Sequence, residues 1–265
     1  MLEKYGDFKD SELCVVVPTR NEADNLPVLV ERILPYGYSV IVVDDESTDG
    51  TFELAKRLAE EGKISLIERR GVRGLGSAIR VGIENAPCKF VAVMDADLQH
   101  PPEALPLFLE RLKAGCDIVV GSRYTKGGRI VGWSLRRRLI SLGAIILAKL
   151  FVPETRRTSD PVSGFFAINK ERVKPEITTS GYKALLDVLV RNPKAKVCDV
   201  PYTFENRRRG KSKLSFREIR EFWDQLTGLR KISMSEKGSA LRGLLTFQPF
   251  RASSRPVLLS PIGVA

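Results

Sequence analysis

Histidine is nearly missing from this 265-residue chain, which holds only His100. His-rich zinc sites and the HExxH helix of metalloproteases each need at least two, so both are excluded. Cysteine is scarce as well: Cys14, Cys88, Cys116 and Cys198 lie far apart with no C-x-x-C pair. That spacing excludes a zinc knuckle and suggests no dense disulfide framework, so the four read as buried thiols of a reducing compartment. No uninterrupted apolar run approaches the ~20 residues of a membrane-spanning helix. The longest, LISLGAIILAKLFV from Leu139 to Val152, is shorter and contains Lys149. The opening MLEKYGDFKDSEL is too charged for a secretory signal. The chain is therefore expected not to cross a bilayer, though it can lie on one. Acidic residues are also in deficit, 32 against 43 Lys and Arg, for a formal net charge of +11. Such a surplus fits nucleic acid, an anionic membrane surface or a polyanionic substrate, and composition does not choose among them.

What is present alternates. Short apolar runs at Leu13–Pro18, Val40–Val43, Ile64–Ile67, Phe90–Met94 and Ile118–Val120 read as strands. They are continuous in hydrophobicity, which suits a parallel sheet buried on both faces. Helical spacing predicts helices over Asp24–Leu34, Asp49–Glu61, Ser77–Asn85 and Pro102–Lys113, with Asp49 or Ser47 as a cap. The fold expected is α/β, a doubly wound and mostly parallel sheet with ligands at the carboxyl ends of its strands. After Gly121 come a glycine-rich basic loop at Arg123–Trp133, a helix at Leu135–Phe151 and a loop at Thr155–Pro161. Strands at Phe165–Ile168 and Val197–Phe204 flank a helix near Tyr182–Arg191. A basic loop at Asn206–Lys213 then leads to an amphipathic helix at Phe216–Leu229. Residues 1–232 thus read as one folded unit, and residues 233–265 as a tail of little periodicity.

The sharpest chemical signal is Asp95-Ala96-Asp97-Leu98-Gln99, after the fourth strand. In an extended segment residues i and i+2 project to one side, so both carboxylates can face one cation, with Gln99 adding a neutral oxygen. Mg²⁺ and Mn²⁺ favour oxygen ligands of this kind, completed by substrate phosphates. Asp44-Asp45 ends the second strand, where Asp45 is the candidate contact to a nucleobase or ribose. Glu22, in PTRNEADN, reaches the same sheet edge from the first strand. Gly71, Gly74 and Gly76 precede a helix without the G-K-S/T of a Walker loop, which excludes a P-loop NTPase. His100 reads as a supporting residue rather than a general base. Arg137 and Ser141 stand four apart on one helix face and can grip one phosphate.

The segments VVVPTRNEADNL, IVVDDESTDGT, RGLGSAIRVG, MDADLQHPPE, GSRYTKGG, RRLISLGA, DPVSGFFAINK and ENRRRGKSKLS follow in order from about Val15 to Ser215. Together they resemble the family 2 glycosyltransferases of GT-A fold, and within them the dolichol-phosphate mannose synthases. The resemblance implies an inverting transfer of mannose from GDP-mannose to dolichyl or another polyprenyl phosphate, with Mg²⁺ or Mn²⁺. Carried over residue by residue, Pro18, Arg20, Glu22, Val43 and Asp45 would hold the nucleoside. Asp95, Ala96, Asp97 and Gln99 would surround the metal and diphosphate. Arg123, Arg137 and Ser141 would take the acceptor phosphate, while Arg207 and Lys213 would close over the donor. Arg20 stands where the family usually has Tyr, so stacking on the base would pass to a guanidinium. Some relatives carry transmembrane helices that this sequence lacks. A peripheral position on the cytoplasmic face of a membrane is then expected, held by the basic, apolar helix near 135–151 or by a membrane-anchoring partner. The rival reading is glucose transfer from UDP-glucose to the same lipid. A more distant one, a basic nucleic-acid-binding protein, conflicts with the clustered carboxylates, which repel a phosphate backbone.

Overall fold

The structure is a computed structural model that describes residues 2–71, 74–177, 183–205 and 216–245. Its centre is an eight-stranded sheet in the order β1-β4-β3-β2-β5-β8-β6-β9. Strands β2 (Cys14–Thr19), β3 (Ser39–Asp44), β4 (Ser65–Arg69), β5 (Phe90–Val93) and β6 (Ile118–Ser122) are the five apolar runs of the first half. Of these, β4, β3, β2 and β5 lie side by side and parallel. Strand β8 (Phe166–Asn169) enters antiparallel between β5 and β6, and β9 (Val197–Pro201) extends the sheet parallel to β6. At the opposite edge β1 (Leu2–Tyr5) pairs antiparallel with β4, its side chains exposed and half-buried in alternation.

In the central strands successive side chains face alternate helical layers, because they point to opposite faces of the sheet. Val15 and Val17 face α1 (Leu26–Ile33), α2 (Thr51–Glu60) and α4 (Leu105–Lys113). Cys14 and Val16 face α3 (Leu75–Asn85) and α6 (Ala184–Arg191). Helix α3 sits so close that a Cβ on Gly82 would fall 2.3 Å from Val16 Cγ1, so only glycine fits there. A third apolar cluster joins α5 (Leu135–Phe151), α6 and α7 (Phe216–Leu245) through Ile145, Ala148, Leu186, Leu226 and Leu229. Helix α7 runs well beyond the expected end at Leu229.

Three other expectations need correction. The cysteines are not free thiols: Cys14 pairs with Cys88 and Cys116 with Cys198. Separations of 74 and 82 residues hid the pairs, but the parallel crossovers return the chain to a neighbouring strand start, with Cα–Cα distances of 5.6 and 6.1 Å. The segment Arg123–Trp133 is not loop throughout. Its β7 (Arg129–Ile130) pairs with β10 (Thr203–Phe204), which the sequence merged with β9. Finally, Asp49 and Ser47 are not the cap residue of α2, which is Gly50 in the left-handed region at φ 92°. Asp49 Oδ1 still accepts from the Thr51 amide at 3.0 Å, while Ser47 Oγ donates to Asp44.

Candidate active site

The carboxyl ends of β3, β2, β5 and β6 border a cavity of about 980 Å³, closed on its far side by α5 and α7. Strand order arranges its contents along the sheet edge. Asp45 follows β3, then comes Pro18 near the end of β2 with Arg20 and Glu22 after it, then Asp95, Ala96, Asp97 and Gln99 after β5, and Arg123 after β6. Four carboxylates thus stand on the β3–β5 side together with Arg20; Arg123 and Arg137 stand on the β6–α5 side, and α7 adds Glu218 and Glu221.

At the first end Asp45 is nearly buried. Its Oδ2 accepts from the Gly74 amide at 2.9 Å, and its Oδ1 lies 3.1 Å from Arg69 Nη1. That ion pair is off the hydrogen-bonding line, and Oδ1 accepts no hydrogen bond among the described residues. Arg69 is itself buried, which lowers its pKa against the opposing pull of Asp45, and it is held by Ser77 Oγ at 2.6 Å. The side chain of Glu22 is positioned by Asn25, whose Nδ2 donates to its Oε2 at 2.7 Å. Val43 does not reach the cavity: its side chain lies in the core beneath Gly82, which leaves only backbone for the nucleoside role assigned to it.

In the middle, Asp95 and Asp97 both line the cavity, although β5 ends at Val93 and the segment turns rather than staying extended. Leu98 takes a left-handed φ of 62°, and Asp97 Oδ1 accepts from the Gln99 amide at 3.1 Å. Gln99 Nε2 donates to the Glu205 carbonyl at 3.1 Å, tying this turn to the segment after β10. His100 is buried, stacked on Phe165 with ring centres 5.1 Å apart. Burial lowers its pKa against the pull of Asp95 and Asp97, so the ring is neutral, and its Nδ1 accepts from the Asp95 amide at 3.2 Å. The expected supporting role is the one its geometry allows. Opposite Asp95 lies Gly164, where a Cβ would come within 3.0 Å of Asp95 Oδ2. Among the described residues no three His, Cys, Asp or Glu side chains gather to hold a metal ion alone. Two carboxylates with space beside them fit a cation whose remaining ligands come from phosphates.

At the second end Arg123 is fixed from several sides. Its Nε and Nη2 donate to Asp160 at 2.7 and 2.8 Å, and Tyr124, Trp133 and Phe204 rings lie 5.4 Å from its guanidinium. Burial works against its charge, but the bidentate bond to Asp160 outweighs burial and raises its pKa. Arg137 stacks over Trp133 at 4.2 Å. Ser141, one helical turn further along α5, accepts from the Tyr124 hydroxyl at 2.9 Å. Both line the cavity, as their spacing predicted.

The structure therefore brings Pro18, Arg20, Glu22, Asp45, Asp95, Ala96, Asp97, Gln99, Arg123, Arg137 and Ser141 to one cavity. Arg207 and Lys213 lie outside the described residues. Sequence reasoning missed Arg69, Asp160, Tyr124, Lys183 and the two α7 acids Glu218 and Glu221, the last three of which line the cavity. Asp160 had a visible signal, standing in the DPVSG segment, but the others are brought in only by the path of the chain.

Residues 14–174 match the family described as Glycosyl transferase family 2. Proteins named dolichol-phosphate mannosyltransferase are similar over most of the chain. That of Pyrococcus furiosus is 42% identical over 83% of this chain and 64% of its own length. The Saccharomyces cerevisiae protein is 37% identical over 82% of this chain and 86% of its own length. The chain thus spans somewhat less than two thirds of the Pyrococcus relative. Among solved structures, glucosyl-3-phosphoglycerate synthase from Mycobacterium tuberculosis with Mn²⁺, UDP-glucose and phosphoglyceric acid superposes with a TM-score of 0.61. It is 20% identical and covers 83% of this chain and 79% of its own, a likeness of fold.

Proposed function

The chain belongs to glycosyl transferase family 2, and from that premise we propose that it transfers mannose from GDP-mannose to dolichyl or another polyprenyl phosphate, with inversion. The observation that carries this reading is the content of one cavity: Asp95 and Asp97 after β5, and Arg123, Arg137 and Ser141 after β6 and on α5, with apolar α5 and α7 residues beside them. A nucleotide sugar fits the first end and a lipid phosphate the second.

Each group then has work that follows from its place. Asp45, with Pro18, Arg20 and Glu22, holds the nucleoside. Asp95 and Asp97, with Gln99 and the backbone of Ala96, would hold Mg²⁺ or Mn²⁺, an assignment supported by the relative crystallised with Mn²⁺. Such an ion offsets the negative charge of the diphosphate leaving group. Arg123, Arg137 and Ser141 orient the acceptor phosphate. Its oxygen lone pair forms the new bond to the anomeric carbon from the far side as the bond to the diphosphate breaks, and the departing pair stays on GDP. The acceptor is already ionised near neutral pH, its second pKa being about 6, so no general base is needed. The neutral, enclosed His100 agrees with that.

Among the described residues no helix is long and apolar enough to cross a membrane. Helix α5 instead exposes Leu135, Leu139, Ile146 and Leu150 along one stripe, flanked by exposed Arg136 and Arg138. An apolar stripe with basic flanks supports attachment to an anionic leaflet. Incubation with GDP-mannose or UDP-glucose, Mn²⁺ and citronellyl phosphate is expected to give mannosyl product only. Chelator should abolish it, and Asp97→Asn should lower the rate by about a hundredfold or more. Glucosyl product would transfer the reading to UDP-glucose, and mannosyl turnover undiminished by chelator would refute the role of the carboxylates.

A further inference from the structure

We propose that Lys183, which lines the same cavity as Arg123, Arg137 and Ser141, is a binding residue for the acceptor phosphate; this rests on the reading just given of the cavity's two ends. Lys183 lines the cavity from the start of α6. Burial lowers its pKa, against the pull of Asp95, Asp160 and Glu218 on its ammonium, and Arg123 adds to the lowering. The need for it comes from charge. A phosphate monoester carries nearly two negative charges at neutral pH. Arg123 is already bound through two nitrogens to buried Asp160, which offsets most of its charge. Arg137, with Ser141 beside it, is a single further cation and does not match a dianion. Lys183 supplies the second, as a compact ammonium with three donors that suits a phosphate approached from any side.

The root of Lys183 is held as a functional side chain requires. Its amide donates to Gln225 Oε1 at 3.1 Å, and its carbonyl accepts from Gln225 Nε2 at 3.0 Å. The same Nε2 lies 2.6 Å from Asp187 Oδ2, and both Gln225 and Asp187 are buried. One side chain on α7 therefore fixes the backbone of a cavity lysine on α6.

The test uses the full chain with Lys183→Met, Lys183→Gln and Lys183→Arg, titrated with citronellyl phosphate in the presence of GDP and Mn²⁺. The Met and Gln proteins are expected to bind the lipid phosphate about tenfold or more weakly, and the Arg protein within a few-fold of the parent. Binding of GDP with Mn²⁺ should stay within about threefold in all of them, which also reports that they fold. Unchanged binding of citronellyl phosphate overturns the proposal. So does an equal loss of GDP and Mn²⁺ binding, which would make Lys183 a counter-ion of Asp95, and so does a parent protein that does not bind the lipid phosphate. Turnover separates the two readings. A parent that binds the lipid phosphate yet transfers no mannose removes the mannosyl assignment and leaves the Lys183 titrations to stand. Full turnover with an unchanged KM for the lipid in the Met protein removes Lys183 alone.

Discussion

Tyr124 serves two neighbours at once, because its hydroxyl donates to Ser141 while its ring lies 5.4 Å from the Arg123 guanidinium. That bond uses one lone pair of Ser141 Oγ and so restrains the serine hydroxyl. Tyr124→Phe removes that bond and keeps the ring, so the KM for the lipid phosphate should rise roughly two- to tenfold, as expected for a net 0.5–1.5 kcal/mol hydrogen bond. Steady-state kinetics with citronellyl phosphate varied would show it, with the KM for GDP-mannose constant; an unchanged lipid KM would mean that Ser141 needs no orienting. Individual residues were legible wherever local geometry sufficed. Asp45, Asp95 and Asp97 come just after strands, and Arg137 and Ser141 share a helix face. Tyr124 and Asp160 escaped notice because their work lies across the fold: Asp160 grips an arginine 37 positions away.

Among the elements, α5 meets opposing demands on its two sides. Arg137, Ser141 and Ala144 face the cavity and Ile145 and Ala148 the core, while Leu135, Leu139, Ile146 and Leu150 point outward. The outward stripe holds side chains 78, 69, 57 and 64% exposed, too apolar for a surface that stays in water. Fully burying a Leu or Ile side chain is worth about 1.5–3 kcal/mol. The double substitution Leu139→Asp with Ile146→Asp should therefore weaken binding to anionic vesicles by about a hundredfold or more. Sedimentation with phosphatidylglycerol vesicles measures this, and turnover of soluble citronellyl phosphate with an unchanged melting temperature checks that the cavity face survives. A double variant that still sediments would assign membrane contact to another surface. Helices of this kind were readable from periodicity, and so were the buried strands. Direction was not, since an apolar run carries no sign of its polarity, and β8 was recognised as a strand without its antiparallel place between β5 and β6.

Across the whole molecule, the two disulfides divide the work of the site between them. Cys14–Cys88 joins the start of β2 to the segment entering β5, and these strands end at Pro18–Glu22 and Asp95–Gln99. Cys116–Cys198 joins the segment entering β6 to β9, and these end near Arg123 and near Tyr202 and Phe204, which also line the cavity. One link thus spans the proposed donor side and the other the proposed acceptor side, each at the opposite end of the sheet from the cavity. Closing a loop of some seventy to eighty residues removes chain entropy worth about 4–5 kcal/mol from the unfolded state. For a chain of this size that corresponds to roughly 10 °C or more in melting temperature. Replacing Cys14 and Cys88 together by Ala, and separately Cys116 and Cys198 by Ala, should lower the thermal midpoint by about that much in each case. The first pair should also weaken binding of GDP with Mn²⁺ more than binding of citronellyl phosphate, and the second pair the reverse. Equal losses for both ligands in both variants would show that the links stabilise the sheet as a whole. A midpoint matching the parent's would show that neither crosslink constrains the unfolded chain, because the covalent tie acts on that state whatever the native packing supplies.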